Sequence, residues 1–209
     1  MERIAIVVLA AGASTRFGPE NKLLATIDGE AMVVGVVRRM SAVQVMGAKT
    51  ELYAVTAAGQ DDVARRLLDL PQSARPQIVV NSNAAIGIGT SIAAGIAALC
   101  DEVQGAMIVP GDMPRLTTEI ASWLIRAFVV NGCVLAVHPV LSEGVKVGPV
   151  VWPRSFFADL IALDGAHGGQ ALLDRPGVAG FALNADDTSL LADIDTQADL
   201  AAFKHGRRA

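Results

Sequence analysis

Aromatic side chains are scarce in this chain, at 4% of 209 residues. With so few rings to stack on bases, a platform for single-stranded nucleic acid is not expected. Charge is sparse as well, at 18%, and its balance is −4. That sign argues against general attraction to DNA, RNA or anionic lipid, so neither a nucleic-acid nor a membrane partner is expected. There are two cysteines, Cys100 and Cys133, and they form no CxxC pair. Neither a disulfide framework nor a thiolate zinc site follows, and a reducing cytoplasm is the expected location. Three histidines, His138, His167 and His205, are scattered, and no Ser-His-Asp arrangement is visible.

Two apolar stretches invite a membrane or secretion reading and fail it. Residues 4–13 end in small residues like a leader, but Met1-Glu2-Arg3 carries no net side-chain charge and the run has buried-strand length. Residues 76–100 contain no charged side chain, yet Asn81, Ser82, Asn83, Gly87, Gly89, Thr90 and Ser91 interrupt them. A strand, a polar glycine-rich loop and a buried helix fit better than a membrane span. What the chain has in quantity is apolar residue, 52%. At this length that supplies a real core and excludes a disordered chain or a coiled coil.

The elements alternate. Residues 4–9 form a β-branched run without a polar face, as expected for a strand buried on both sides of a parallel sheet. Helices are expected at 31–46, 60–70, 90–99 and 117–130, the last with Thr117 as N-cap, and strands at 51–56, 77–80 and 105–109. This β-α-β-α-β-α-β order predicts an α/β protein, a three-layer α/β/α Rossmann-like fold with a mostly parallel sheet. After Cys133 the rhythm changes. Strands at 134–137 and 147–152, with a turn at Ser142-Glu143-Gly144, predict an antiparallel strand in the C-terminal half. Helices at 154–163 and 169–173, a strand at 178–183 and a helix at 197–203 complete a single domain over residues 1–209.

The most informative stretch is Leu9-Ala10-Ala11-Gly12-Ala13-Ser14-Thr15-Arg16-Phe17-Gly18, followed by Asn21-Lys22-Leu23-Leu24. It begins where the first strand ends. Small side chains let backbone amides approach an anion. Arg16 adds a fork matched to phosphate oxygens, and Lys22 a compact cation that can follow charge onto a leaving group. The reading is a triphosphate cradle; the plain alternative is a tight βα turn with both cations solvated. A Walker loop is excluded by the Gly12–Gly18 spacing and the missing Lys-Ser/Thr, and a dinucleotide fingerprint by the missing GxGxxG, which disfavours a nicotinamide oxidoreductase.

Asp112, in Val109-Pro110-Gly111-Asp112-Met113-Pro114, stands at the end of the fourth strand. A carboxylate there, facing a phosphate loop, is placed to hold Mg²⁺; an Asx turn or helix cap is the alternative. Asp193 and Asp195 flank Ile194, so both carboxylates point to one face if the segment is extended. Thr196-x-x-Asp199 is a capping box that needs no further function.

Together these strings resemble the nucleotidyltransferase signature LAAGxSxRFG…K-L-L of the MobA-like family, most closely its molybdenum cofactor cytidylyltransferases. The likeness runs from Ile4 to Leu200. It implies transfer of a nucleoside monophosphate from a nucleoside triphosphate to a phosphorylated acceptor. Leu9, Ala10, Ala11 and Gly12 would contact base and phosphates, with Arg16 and Lys22 on the phosphates. LAAG is associated with cytidylyl and LAGG with guanylyl enzymes, so Ala11 favours CTP. Gly-Asp-Met-Pro matches the metal-binding motif at Asp112, with Mg²⁺ as cofactor and Mn²⁺ as its substitute. The 193–200 segment is similar to the family's D-I-D-T-P-E-D-L, which adds Asp195 first and Asp193 second to the metal shell; a plain helix-start acidic cluster is the alternative. Asn81, Gly87 and Ser91 match N-x5-G-x3-S, where Asn81 could read base or ribose and Ser91 meet a phosphate, or both could serve as turn and cap.

Two positions depart from the family pattern, and both fall on the expected acceptor side. His167, in Asp164-Gly165-Ala166-His167-Gly168-Gly169, replaces an expected Arg. Lys146-Val147-Gly148-Pro149 stands where a Gly-His/Asn-Pro is usual. The expected function is therefore CMP transfer from CTP to the phosphate of a molybdopterin-type cofactor, with a molybdoenzyme as client. The alternatives are another phosphorylated acceptor, such as a sugar or polyol phosphate, and a non-catalytic molybdenum cofactor-binding chaperone. Arg16, Lys22 and Asp112 would carry the catalysis. An acceptor phosphate is already anionic, so no general base is required.

Overall fold

The computed structural model describes all residues except 13–15, 19, 142–145, 166, 183–188 and 207–209. The expected Ser142-Glu143-Gly144 turn, with Ser14, Thr15, Ala166 and the end of the 178–183 strand, lies outside the described residues. The first strand, β1 (Glu2–Ala10), is buried continuously from Ile4. Side chains alternate across a strand, so Ile4, Ile6, Val8 and Ala10 enter one apolar core while Ala5, Val7 and Leu9 enter another.

After β1 come a 3-10 turn at Lys22–Leu24 and a small hairpin of β2 (Thr26–Ile27) and β3 (Glu30–Ala31). Asp28 and Gly29 both have positive φ, 51° and 86°, as a two-residue hairpin loop requires. Then follow α1 (Met32–Ser41), β4 (Ala48–Ala57), α2 (Asp61–Leu68), β5 (Gln77–Asn81), α3 (Ile88–Ala97), β6 (Gly105–Pro110) and α4 (Thr118–Val130). The last part holds β7 (Ala136–Val140), β8 (Val150–Pro153), α5 (Phe157–Ile161), β9 (Val178–Ala182) and α6 (Gln197–Gly206).

The main sheet has seven strands in the order β5-β4-β1-β6-β8-β7-β9. β1 pairs in parallel with β4 and β6, and β4 with β5. Only β8 runs against its neighbours β6 and β7, and β7–β9 is parallel again. The expected mostly parallel sheet with one antiparallel strand is the one observed. Apolar faces of α1, α2 and α4 fill the core on one side of the sheet, and α3 and α5 the other. That makes three layers.

Several boundaries differ from expectation. The 31–46 helix stops at Ser41; Val43 and Val45 are buried from irregular backbone, and Gly47, at φ 87°, turns the chain into β4. The 154–163 helix divides into a 3-10 turn at Arg154–Phe156 and the short α5, and the 169–173 helix is a 3-10 turn, Gly169–Asp174. The strand expected at 134–137 begins at Ala136, after the positive φ of Cys133. Thr117 does cap α4, its Oγ1 accepting from Ile120 N at 3.3 Å.

A third, smaller core joins distant parts of the chain. Phe17, Ile27 and Met32 pack with Ile194, Leu200 and Phe203. It seats α6 beneath the loop that follows β1, and Arg115 stacks over Phe203 from outside, 4.7 Å from the ring centre. No helix among the described residues is long and apolar enough to cross a membrane.

Candidate active site

β1 and β6 end side by side, and their carboxyl ends open a cleft of about 660 Å³. Gly111 N donates to Leu9 O at 2.9 Å. A Cβ on Gly111 would come within 2.7 Å of that carbonyl, so only glycine lets Asp112 sit this close to the end of β1. On the other wall, Asn21 Oδ1 accepts from Leu23 N at 3.0 Å. That cap folds Lys22–Leu24 into a 3-10 turn and sends Lys22 inward, where it is 8% exposed.

The Lys22 ammonium donates to Asp112 Oδ2 at 2.7 Å and to Asp195 Oδ1 at 3.0 Å. Arg16 meets the other oxygen of Asp195 at 2.8 Å. Burial alone would lower the Lys22 pKa; the hydrogen bonds and charges of Asp112 and then Asp195 outweigh it, and the net shift is upward. Ile194 N donates to Asp112 O at 3.0 Å, which ties the C-terminal segment to the end of β6. The capping box forms as read: Asp199 Oδ2 accepts from Thr196 N at 2.7 Å and Asp199 N donates to Thr196 Oγ1 at 3.1 Å. Asp199 also accepts from Asp195 N at 3.1 Å, fixing the backbone that carries the carboxylate.

Leu9, Ala11, Gly12, Arg16, Lys22, Gly87, Ser91, Asp112 and Asp195 all line the cleft. Ala10, Asn81 and Asp193 do not. Ala10 points into the opposite core, as alternation along β1 dictates. Asn81 is buried and spends its amide on the chain: Nδ2 donates to Thr90 Oγ1 and Ser91 Oγ, both at 3.0 Å, and Oδ1 accepts from Asn83 N at 2.9 Å. It shapes the 82–91 loop instead of presenting a base-reading edge. Asp193 is exposed and outside that lining, yet near enough that partial desolvation, followed by the charges of Asp112 and Asp195, raises its pKa.

Sequence reasoning did not single out Leu23, Ala84, Ala85, Ile88 and Pro110, which complete the wall. Small and apolar residues carry no chemical signature, although Ala84, Ala85 and Ile88 lie inside the segment that was noticed. The 3-10 turn Ala84–Ile86 and α3 therefore offer a nearly apolar face, with Ser91 as its polar side chain. Gly89 N donates to Gly165 O at 2.9 Å, and a Cβ there would meet the backbone oxygens of Gly165 and His167 at 2.8 and 2.7 Å. The loop bearing His167 is thus docked on the start of α3, with His167 itself exposed. His138 is buried in β7 with Nδ1 2.8 Å from Pro139 O, and His205 is exposed on α6.

Asp112 and Asp195 supply hard carboxylate oxygens, the donor class of Mg²⁺ and Mn²⁺. Among the described residues no three His, Cys, Asp or Glu side chains converge as a ready cation cage. The donor set fits an ion held by one or two carboxylates and completed by phosphate and water oxygens.

The strand order puts this cleft at the switch point beside β1, where doubly wound α/β proteins take ligands beyond their strand ends, and the fold is that of the α/β nucleotidyltransferases. The chain belongs to the MobA-like NTP transferase domain family, which its residues 6–180 match. Among solved structures, a homologue of Mycobacterium tuberculosis Rv0371c from Mycobacterium sp. strain JC1 superposes with a TM-score of 0.79 at 22% identity, covering 97% of this chain and 96% of that one. Rv0371c of M. tuberculosis H37Rv, solved as a complex with manganese, superposes at 0.70 with 15% identity over 98% and 99% of the chains. Molybdopterin-guanine dinucleotide biosynthesis protein A from Archaeoglobus fulgidus does so at 0.72 with 17% identity over 98% of each. At these identities the structural likeness concerns the fold. No curated protein matches the sequence.

Proposed function

We propose that this chain, acting as one domain in a reducing cytoplasm, transfers CMP from CTP to the phosphate of a molybdopterin-type cofactor. The observation that carries the reading is the alternation Arg16–Asp195–Lys22–Asp112 along the lining of the cleft. Cations for a triphosphate and hard oxygens for its metal converge there from three distant parts of the chain. Ala11, which lines the cleft, supports CTP over GTP. The unpaired thiols of Cys100 and Cys133 suit the reducing compartment.

An oxygen of the acceptor phosphate attacks the α-phosphorus of CTP. The bond from the α-phosphorus to the bridging oxygen breaks, and pyrophosphate leaves with the electron pair. The attacking oxygen is already ionised, so no residue has to remove a proton. The barrier is repulsion between anions and charge gathering on the leaving group. Arg16 and Lys22 oppose that charge, and the amides at Ala11 and Gly12 orient the phosphates. Asp112 and Asp195 would hold a divalent cation, Mg²⁺ or Mn²⁺, which when bound neutralises phosphate oxygens as a Lewis acid. Asp193 would act through the charge it adds to that pair.

One observation favours a different acceptor. Lys146, beside the expected acceptor segment, is committed to Asp174 at 2.6 Å and to Leu173 O at 2.9 Å. With His167 and Gly148 in place of the usual polar groups, a sugar or polyol phosphate is the second reading. A pure cofactor chaperone would not need the carboxylate pair. The test is pyrophosphate release from CTP and Mg²⁺ with a panel of acceptors. Release with molybdopterin, whose client would be a molybdoenzyme, supports the first reading. Release with a sugar or polyol phosphate alone supports the second, and no release with any acceptor overturns both.

A further inference from the structure

The cleft contains its own counter-ions. Lys22 lies between Asp112 at 2.7 Å and Asp195 at 3.0 Å, and Arg16 takes the remaining oxygen of Asp195 at 2.8 Å. Two cations and two carboxylates alternate in a row. Lys22 is only 8% exposed, so water can replace little of what the carboxylates give it. Among the described residues, Lys22 is the one side chain whose ion pairs reach both carboxylates.

We propose that Lys22 gates the site: by bridging Asp112 and Asp195 it holds off a divalent cation that arrives alone, and the cleft takes cation and triphosphate only as a pair. The inference rests on the nucleotidyltransferase reading and adds the form in which the substrate is accepted.

The argument is one of charge balance. A lone divalent cation meets like charge at Lys22 and Arg16. To reach the carboxylates it must part a nearly buried ammonium from both Asp112 and Asp195, and separating a buried charge from its ion-pair partners is strongly unfavourable. A lone triphosphate meets Asp112 and Asp195 with Asp193 nearby. Lys22 and Arg16 can turn to it only by leaving those carboxylates bare. When both arrive, the exchange balances: Lys22 and Arg16 pass to phosphate oxygens as the carboxylates pass to the cation. A lysine suits this part, being a point charge on a flexible stem with three donors. Partner exchange of this kind couples the ligands reciprocally, each raising the affinity of the other by the same factor.

The test uses the full chain, with Mn²⁺ followed by its electron paramagnetic resonance signal and metal-free CTP followed calorimetrically in chelator. Without nucleotide, the wild type binds Mn²⁺ weakly and Lys22→Met binds it about tenfold more tightly or better, a change of about 1.4 kcal/mol. In the reverse arm, Asp195→Asn binds metal-free CTP more tightly than the wild type, because Lys22 and Arg16 are released. Mn²⁺ affinity that is unchanged or lower in Lys22→Met overturns the proposal. Should that variant not fold, the wild type alone decides. Mn²⁺ affinity at saturating CTP is compared with that of the apo chain, after allowing for the Mn²⁺–CTP complex in solution. Independent binding overturns the gate. The two levels of claim separate cleanly. If Lys22→Met gains Mn²⁺ affinity and no nucleotide ever binds, the block on the cation stands and the nucleotidyltransferase reading falls. If CMP transfer occurs and Lys22→Met leaves Mn²⁺ affinity unmoved, the reading stands and the gate falls.

Discussion

At the residue scale, the site contrasts with the buried polar groups around it. Lys22, Asp112 and Asp195 satisfy one another, yet every member is one that a metal–nucleotide complex would claim. Asn81 and His138 are equally well satisfied, but by other groups of the chain outside that trio. Asp112→Ala should lower CMP transfer by about 10²–10³-fold or more. It should leave stability within about 1 kcal/mol, or roughly 2–4 °C in Tm, because Lys22 keeps Asp195 as a partner at 3.0 Å. Steady-state kinetics beside a thermal melt check this, and retained turnover would remove Asp112 from the site. His138 provides a pH test. Burial, opposed only in part by its bond to Pro139 O, lowers its pKa, and Lys146 lowers it further. The unfolded chain therefore binds a proton that the folded chain refuses, and stability falls as pH drops from about 6.5 towards the lowered folded value, by at most about 1.4 kcal/mol per pH unit. Urea unfolding between pH 5 and 7.5 should show that slope in the wild type and lose it in His138→Gln. Identical slopes would contradict the assignment.

At the scale of elements, α6 has the least expected part. Its residues Leu200 and Phe203 meet Phe17, the neighbour of Arg16, and Ile194, the neighbour of Asp195. Apolar packing on one side of the backbone thus sets the charged side chains on the other. Phe203→Ala should cost about 3 kcal/mol and also raise the KM for nucleotide, with Phe203→Leu restoring much of both. A loss of stability with unchanged nucleotide affinity would show that α6 supports the fold alone. Long elements were legible in the sequence because they are periodic or continuous: β1 by its unbroken apolar run, α4 by Thr117 and its spacing. The β2–β3 hairpin was missed. Its strands have two residues each and no period to detect, and only the Asp28-Gly29 pair marks the turn. The lining of the cleft was legible where charge and glycine mark it, at Gly12, Arg16, Lys22, Asp112 and Asp195. It was not legible at Ala84, Ala85 and Ile88, where the wall is made of side chains that sequence treats as filler. At Asn81 the sequence left base reading and a turn role both open, because a polar residue at a strand end has the same signature whether it faces ligand or loop.

At the scale of the whole molecule, the strand order matters most. β1 lies between β4 and β6, with helices filling the cores on both faces, so the βα loops after β1 and β6 open at a common edge. A chain of net charge −4 cannot gather a nucleotide by its overall field. It must do so with cations placed in one cleft, and those cations stand paired with the carboxylates that would hold the metal. On the proposed reading, binding of nucleotide and binding of metal become one event. The most direct measurement is isothermal titration of the chain with CTP, GTP, ATP and UTP, each with and without Mg²⁺. The account predicts that CTP binds most tightly and only when Mg²⁺ is present. Failure of every nucleotide to bind, or CTP binding of equal strength with and without Mg²⁺, would contradict it.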